Sequence, residues 1–511
     1  MKKLTSLMIL IESLSKAEKR YFRLFSNLQS GDKKYVYLFD LIVAHNSIDA
    51  VYTQFCKKYN SANFNITVKH LYQTVMDCLI YLHRKMDIQT KIFALISEAN
   101  ILFERALTDE SMKTLKKAKT MALTYEIYPM LIFLRRTELE YLNATNFENI
   151  SERQLVSKQM KIMEDMKYNR SSNLHSQLYD ILKHRLFYKG YAKSEKQKQS
   201  LNDLILSELN IVANNSYKGF ETQKLHLLFQ ATYYLDSGNY KMAIRFYQTL
   251  IDMFEANKHM ILNPPIYYLQ AITGILNSLK LASLYGEMPF FINKLKMIEQ
   301  GAYADDFILN IRAFVFLYEF SCAFNTGNFT AAADLTVKYN EDLFKNMSLL
   351  RLEMQLDILI DLTVLDMAAG NIKNARKHMK TIMSSGKLFY VLPAYRYARL
   401  INLILQAESE NYDFFENEIK SIKRSIRSEK HLYITEKLLF RFIQNHYLLN
   451  DKKVREKLKR QFEKEVAKIK QNKYEQQLLV VFDFISWMQS KLTNRRLDDI
   501  LAEKNCTRSI I

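Results

Sequence analysis

Ten glycines and five prolines in 511 residues set the tightest limit on what this chain can fold into. Ordinary proteins carry about 7% glycine and about 5% proline, several times more. A β-sandwich or an α/β enzyme needs those residues at many tight turns. A chain this poor in them makes long helices joined by short polar loops. With 48% hydrophobic residues, it holds enough apolar surface to be ordered over most of its length. It is also too long for one compact core, which leaves either several domains or one elongated repeat array.

Internal repetition decides between the two. Gly238-Asn239-Tyr240-Lys241-Met242-Ala243 recurs as Gly327-Asn328-Phe329-Thr330-Ala331-Ala332 and as Gly370-Asn371-Ile372-Lys373-Asn374-Ala375. Each residue of this tag has a task. The glycine ends one helix in the left-handed conformation that other residues resist. The apolar residue plugs the hairpin, and the alanine lets the second helix lie close to the first. Looser copies fall at Leu107-Thr108-Asp109, Thr145-Asn146-Phe147, Gly190-Tyr191, Gly286-Glu287, Glu410-Asn411-Tyr412 and Asn450-Asp451. The spacing fits two helices of about fifteen residues plus two loops per repeat.

The copy at 238 adds Ala231, Tyr234 and Tyr247 at matching offsets. In this it resembles the tetratricopeptide (TPR) repeat, and the period resembles that of extended members of that superfamily. The resemblance implies an all-α, TPR-like α-solenoid of antiparallel helix pairs forming an elongated right-handed superhelix. Residues 91–492 are expected to form the array and 1–90 a small helical N-terminal domain or cap, opened by the capping box Ser15-Lys16-Ala17-Glu18. Residues 493–511 are expected as a frayed tail, after a buried closing helix from Leu478 to Met488 that holds Trp487. The stretch Leu14 to Phe22 resembles the opening of an uncharacterised bacterial TPR-like family, which implies no activity.

Sequence motifs for chemistry are missing. There is no G-x-G-x-x-G, P-loop, H-E-x-x-H or G-x-S-x-G, so the expectation is a protein that is not an enzyme, with no metal and no cofactor. The ten histidines are scattered without metal-ligand spacing. Cys56, Cys78, Cys322 and Cys506 form no C-x-x-C, which fits a reducing compartment. The start imitates a signal peptide until Glu12 and the charged run Lys16 to Arg20 interrupt it. No stretch reaches eighteen uninterrupted apolar residues. The expected location is cytoplasmic.

In TPR arrays the first helix of each pair lines the inner groove. The family's offsets imply Thr232, Asp236, Lys280, Phe314, Phe324, Asn325 and Asp357 as groove positions here; the same residues also fit interior packing. A mostly apolar groove suits an amphipathic helix or an extended segment of a protein partner.

The net charge of +19 is concentrated toward the two ends of the chain. Lys373, Arg376, Lys377 and Lys380 share one helix face at i, i+3, i+4, i+7. Lys420, Lys423, Arg424 and Arg427 repeat the spacing, and Lys453, Lys457 and Arg460 begin a third stripe. Together they read either as a basic patch for an anionic partner, an acidic protein or nucleic acid, or as three ordinary solvated faces. The leading expectation is a non-catalytic protein–protein interaction scaffold or adaptor. The alternative is a regulator whose N-terminal module binds nucleic acid under control of a peptide held in the array, an arrangement that resembles bacterial peptide-sensing regulators.

Overall fold

The computed structural model describes the chain except residues 1, 28–32, 46, 84–86, 215–218, 262–263, 302, 386–387, 410–412, 428–431, 446–451 and 509–511, and a few side chains beside these gaps, that of Arg427 among them. The expected turns at 410–412 and 450–451 lie outside the described residues. Among the described residues every regular element is a helix and there is no strand. The protein is all-α. It divides into two compact units, one built mainly from residues 1–166 and the other from most of 167–511. The expected boundary at 90 falls inside the first unit.

The first unit opens with its own core, in which Leu7, Phe22, Leu38, Phe39, Phe55 and Leu71 are fully buried. Helix Lys16–Asn27 starts at the expected capping box. Glu18 Oε2 accepts from the Ser15 N–H at 2.8 Å, and Ser15 Oγ accepts from the Glu18 N–H at 3.2 Å. Helices Ile88–Glu104, Thr108–Thr124 and Tyr128–Ala144 then pack in succession. Ala99, Ala118 and Ala122 give them close contact at zero exposure.

One turn closes helix after helix. Gly238, Gly327 and Gly370 have φ of 75°, 81° and 78°, the left-handed conformation expected of them. Each is followed by a residue whose N–H reaches back five positions. Asn239 donates to Tyr234 O at 2.9 Å, Asn328 to Ala323 O at 2.9 Å and Asn371 to Asp366 O at 2.7 Å. This is the Schellman closure, which satisfies carbonyls that a helix end leaves bare. Asn239 and Asn328 also cap the next helix, their side chains accepting from the Met242 and Ala331 N–H groups. Ala243, Ala332 and Ala375 have no exposed surface.

The same closure recurs without glycine. Ala106, Asn146 and Ser283 have φ of 62°, 53° and 58°, and Leu107, Phe147 and Leu284 make the matching bonds to Leu102, Leu142 and Leu279 at 2.7–2.9 Å. The turn expected at Gly286 is therefore centred on Ser283, and Gly286 sits in a short 3-10 helix, Tyr285–Glu287.

Three further expectations are corrected. Between the turns at 146 and 190 the chain forms a single helix, Glu152–Lys189, instead of a hairpin, because no glycine or proline interrupts its good helix formers. The closing helix is broken in two, Gln476–Leu479 and Phe484–Thr493, where Asp483 caps the second. The expected tail forms helix Leu497–Arg508, with Ile500 and Leu501 buried.

This C-terminal segment packs along the turns of the second unit. Tyr474 and Lys473 lie beside Gly238, and the backbone of Asp498 and Ala502 lies beside Gly327. Gln476 donates to Ser283 Oγ at 2.9 Å and Gln477 to Ala192 O at 3.0 Å. Trp487 is 2% exposed and donates to Glu408. Helix Asp305–Asn325 is long and apolar enough to cross a membrane, but half of that stretch is buried inside the protein, with Phe316, Phe320 and Phe324 in the core.

Candidate functional site

The expected groove residues separate into two sets. Thr232, Asp236 and Phe324 are buried and do not line an accessible surface. Thr232 shares a hydrogen bond with the Tyr247 hydroxyl at 3.2 Å. Asp236 accepts from the Ala192 N–H at 2.8 Å, and burial pushes its carboxyl up to about 6. Phe324 is stacked between Phe320 and Phe329, with centroids 5.5 and 4.8 Å away. For these three the packing alternative holds, since the first helix of a pair presents residues to its neighbours as well as inward. Asn325 donates to Ser321 O at 2.9 Å and lines a cavity of about 20 Å³ with Ser283, Gln476, Asp483 and Lys504, room for one water.

Lys280, Phe314 and Asp357 remain accessible to solvent. Phe314 lies parallel to Tyr318, with centroids 6.4 Å apart, and the Arg351 guanidinium stands 5.7 Å over its ring. Asp357 is joined one helical turn later by Asp361, both on helix Leu352–Ala368. The surface of Asp357 meets water, yet enough protein surrounds it to weaken its hydration. Desolvation pushes Asp357 up to about 6 and Asp361 to about 8, while the positive charge of Lys280 pulls both down. Glu353 adds to the rise at Asp357, and Asp357 to that at Asp361. Burial and repulsion between carboxylates thus raise both carboxyls, on a face that also carries the positive charge of Lys280. It can accept hydrogen bonds and attract a cation from a ligand lying along it.

No activated thiol accompanies this pair. Cys322 points to Tyr285 O and Met288 Sδ, and burial pushes its thiol up to about 12, the opposite of what a nucleophile requires.

The basic residues Lys373, Arg376, Lys377, Lys380, Lys420, Lys423, Arg424, Lys453, Lys457 and Arg460 are all exposed. The first four share helix Ile372–Ser384. Lys420 pairs with Glu416 at 3.2 Å, and the Lys423 ammonium stands 5.7 Å from the Phe440 ring. The Arg427 side chain lies outside the described residues.

A grouping that the sequence did not announce lies elsewhere in the second unit. His175, Glu208 and His226 each offer a ligand atom within 4.8 Å of the others. They come from helices Glu152–Lys189, Asn202–Asn214 and Phe220–Asp236, so no local spacing reveals them.

Compared with family models, curated proteins and solved structures, the chain matches none.

Proposed function

We propose that the second unit is a TPR-like array of antiparallel helix pairs that serves as a non-catalytic, cytoplasmic scaffold. In this reading a segment of a partner protein lies along the face carrying Lys280, Phe314, Asp357 and Asp361. The observation that carries it is one left-handed turn recurring through the second unit at Gly190, Gly238, Ser283, Gly327 and Gly370, at spacings of 43–48 residues, each copy ending a helix. Such arrays present one face of successive first helices to an extended or helical ligand. Two carboxylates beside one lysine favour a ligand that brings a lysine, an arginine or a free amine, and Phe314 supplies apolar contact.

A photoreactive phenylalanine analogue at position 314, expressed in the native cell, tests this. Irradiation is expected to capture a discrete protein, to the same extent with and without nuclease, and Asp357→Asn/Asp361→Asn is expected to reduce the yield about tenfold. With carboxyls titrating at about 6 and about 8, capture should strengthen as pH rises from 6 to 8, because the pair gains negative charge. Loss of capture on nuclease treatment would favour the nucleic-acid alternative through the basic stripes. Capture indifferent to both substitutions and pH would remove this face from the proposal.

A further inference from the structure

We infer that His175, Glu208 and His226 form a three-ligand site for a first-row divalent transition cation, with Zn²⁺ the best fit. Two imidazoles and a carboxylate are a donor set that binds such ions and leaves a further position for water or another ligand. His175 is 1% exposed and Glu208 is 1% exposed, while His226 is half-buried at the solvent side. The site is thus walled on one side and open on the other.

Each inner ligand is held by a partner that sets its orientation. His175 Nδ1 lies 3.0 Å from Ser171 O, so that nitrogen carries the proton and Nε2 presents its lone pair. Gln230 donates to Glu208 Oε2 at 2.8 Å, which turns Oε1 toward His226 Nδ1. Gln230 follows His226 by one helical turn, so a single helix face supplies a ligand and the group that positions another. Backbone carbonyls and side-chain amides hold metal ligands in this way. The two imidazole planes are nearly perpendicular, at 89°, with centroids 6.1 Å apart. The nearby Ser171 hydroxyl is buried with no hydrogen-bond partner among the described residues, which marks this as a spot of unspent polarity.

A tetrahedral ion with bonds of about 2.0–2.1 Å needs ligand atoms about 3.4 Å apart. The three ligand atoms lie within 4.8 Å of one another, so a bound ion replaces the Glu208 Oε1–His226 Nδ1 contact, opening that pair by about an ångström while His175 closes by about as much, within the reach of small χ rotations.

The full chain, stripped of metal with a chelator, is titrated with Zn²⁺ against a chromophoric competitor. One equivalent is expected to bind with a dissociation constant on the order of 1 μM or tighter, and Mg²⁺ is expected not to compete. His226→Asn, at the solvent side of the site, is expected to fold as the wild type by circular dichroism and to weaken binding at least a hundredfold. Glu208→Gln is expected to do the same, and Gln230→Leu, which removes only a positioning group, to weaken it about 10–100-fold. Co²⁺ should give visible absorption bands of four- or five-coordinate geometry, lost in His226→Asn. Failure of the wild type to bind one equivalent, or binding by His226→Asn and Glu208→Gln as tight as the wild type, would overturn the site and leave a hydrogen-bonded ion pair.

Discussion

The turns of the first unit and those of the second reach one geometry from different residues. At 238, 327 and 370 the left-handed position is glycine; at 106 and 146 it is alanine and asparagine, with φ of 62° and 53°. The backbone bond five residues back is present in both sets. A left-handed alanine costs roughly 1–2 kcal/mol that glycine does not, so Ala106 in the first unit, like Ser283 in the second, carries strain that Gly238, Gly327 and Gly370 avoid. What the fold demands is the turn, which ends one helix and aims the next. Glycine lowers its cost.

Among the glycines themselves the surroundings differ, and this gives the largest expected effect. A Cβ on Gly327 would stand 2.4 Å from Asp498 O and 3.0 Å from Ala502 N, backbone atoms of helix Leu497–Arg508, whereas one on Gly370 would meet nothing within 4 Å. Gly327→Val should therefore destabilise by about 2–4 kcal/mol, combining left-handed strain with displacement of that helix. Removing residues 494–511 should bring the cost down to that of strain alone, a coupling that denaturant titration of the double variant measures. Equal costs with and without the segment would mean that it does not rest on this turn.

The converse substitution is smaller and of opposite sign. Ser283→Gly should stabilise by about 0.5–1 kcal/mol if relief of the positive φ exceeds the added freedom of the unfolded chain. Its side chain accepts from Gln476 at 2.9 Å, and losing that bond offsets part of the gain. A fall in melting temperature would show that the bond to the C-terminal segment outweighs the strain at this turn.

The contrast between glycine and non-glycine turns also explains what could be read in advance. Gly238, Gly327 and Gly370 were legible because an unusual residue marks an unusual conformation, and Ser15 with Glu18 because a capping box is local. Ser283 was not, since nothing in a serine announces positive φ; the nearby Gly286 drew the turn three residues too late. Glu152–Lys189 was read as two helices because the expected period was imposed on a run with nothing to break it. Lys280 and Asp357 follow from the offsets of the resemblance, whereas Asp361, one turn on, lies outside those offsets. His175, Glu208 and His226 meet only through packing of three helices, and no spacing along a chain records that. Thr232, Asp236 and Phe324 were placed in the right helices but face neighbours, because offsets fix a position along a helix better than its rotation.

In the turns at 106, 146, 238, 283, 327 and 370 a left-handed residue, whatever its identity, ends one helix and leads into the next. Gly370 tests it most directly, since open space around it isolates the backbone. The measurement is the unfolding free energy of Gly370→Asn and Gly370→Val side by side. Asparagine tolerates the left-handed region and valine does not, so the asparagine variant should stay within about 0.5 kcal/mol of the wild type while the valine variant loses about 1–2 kcal/mol. Equal stability of the two variants would contradict the claim.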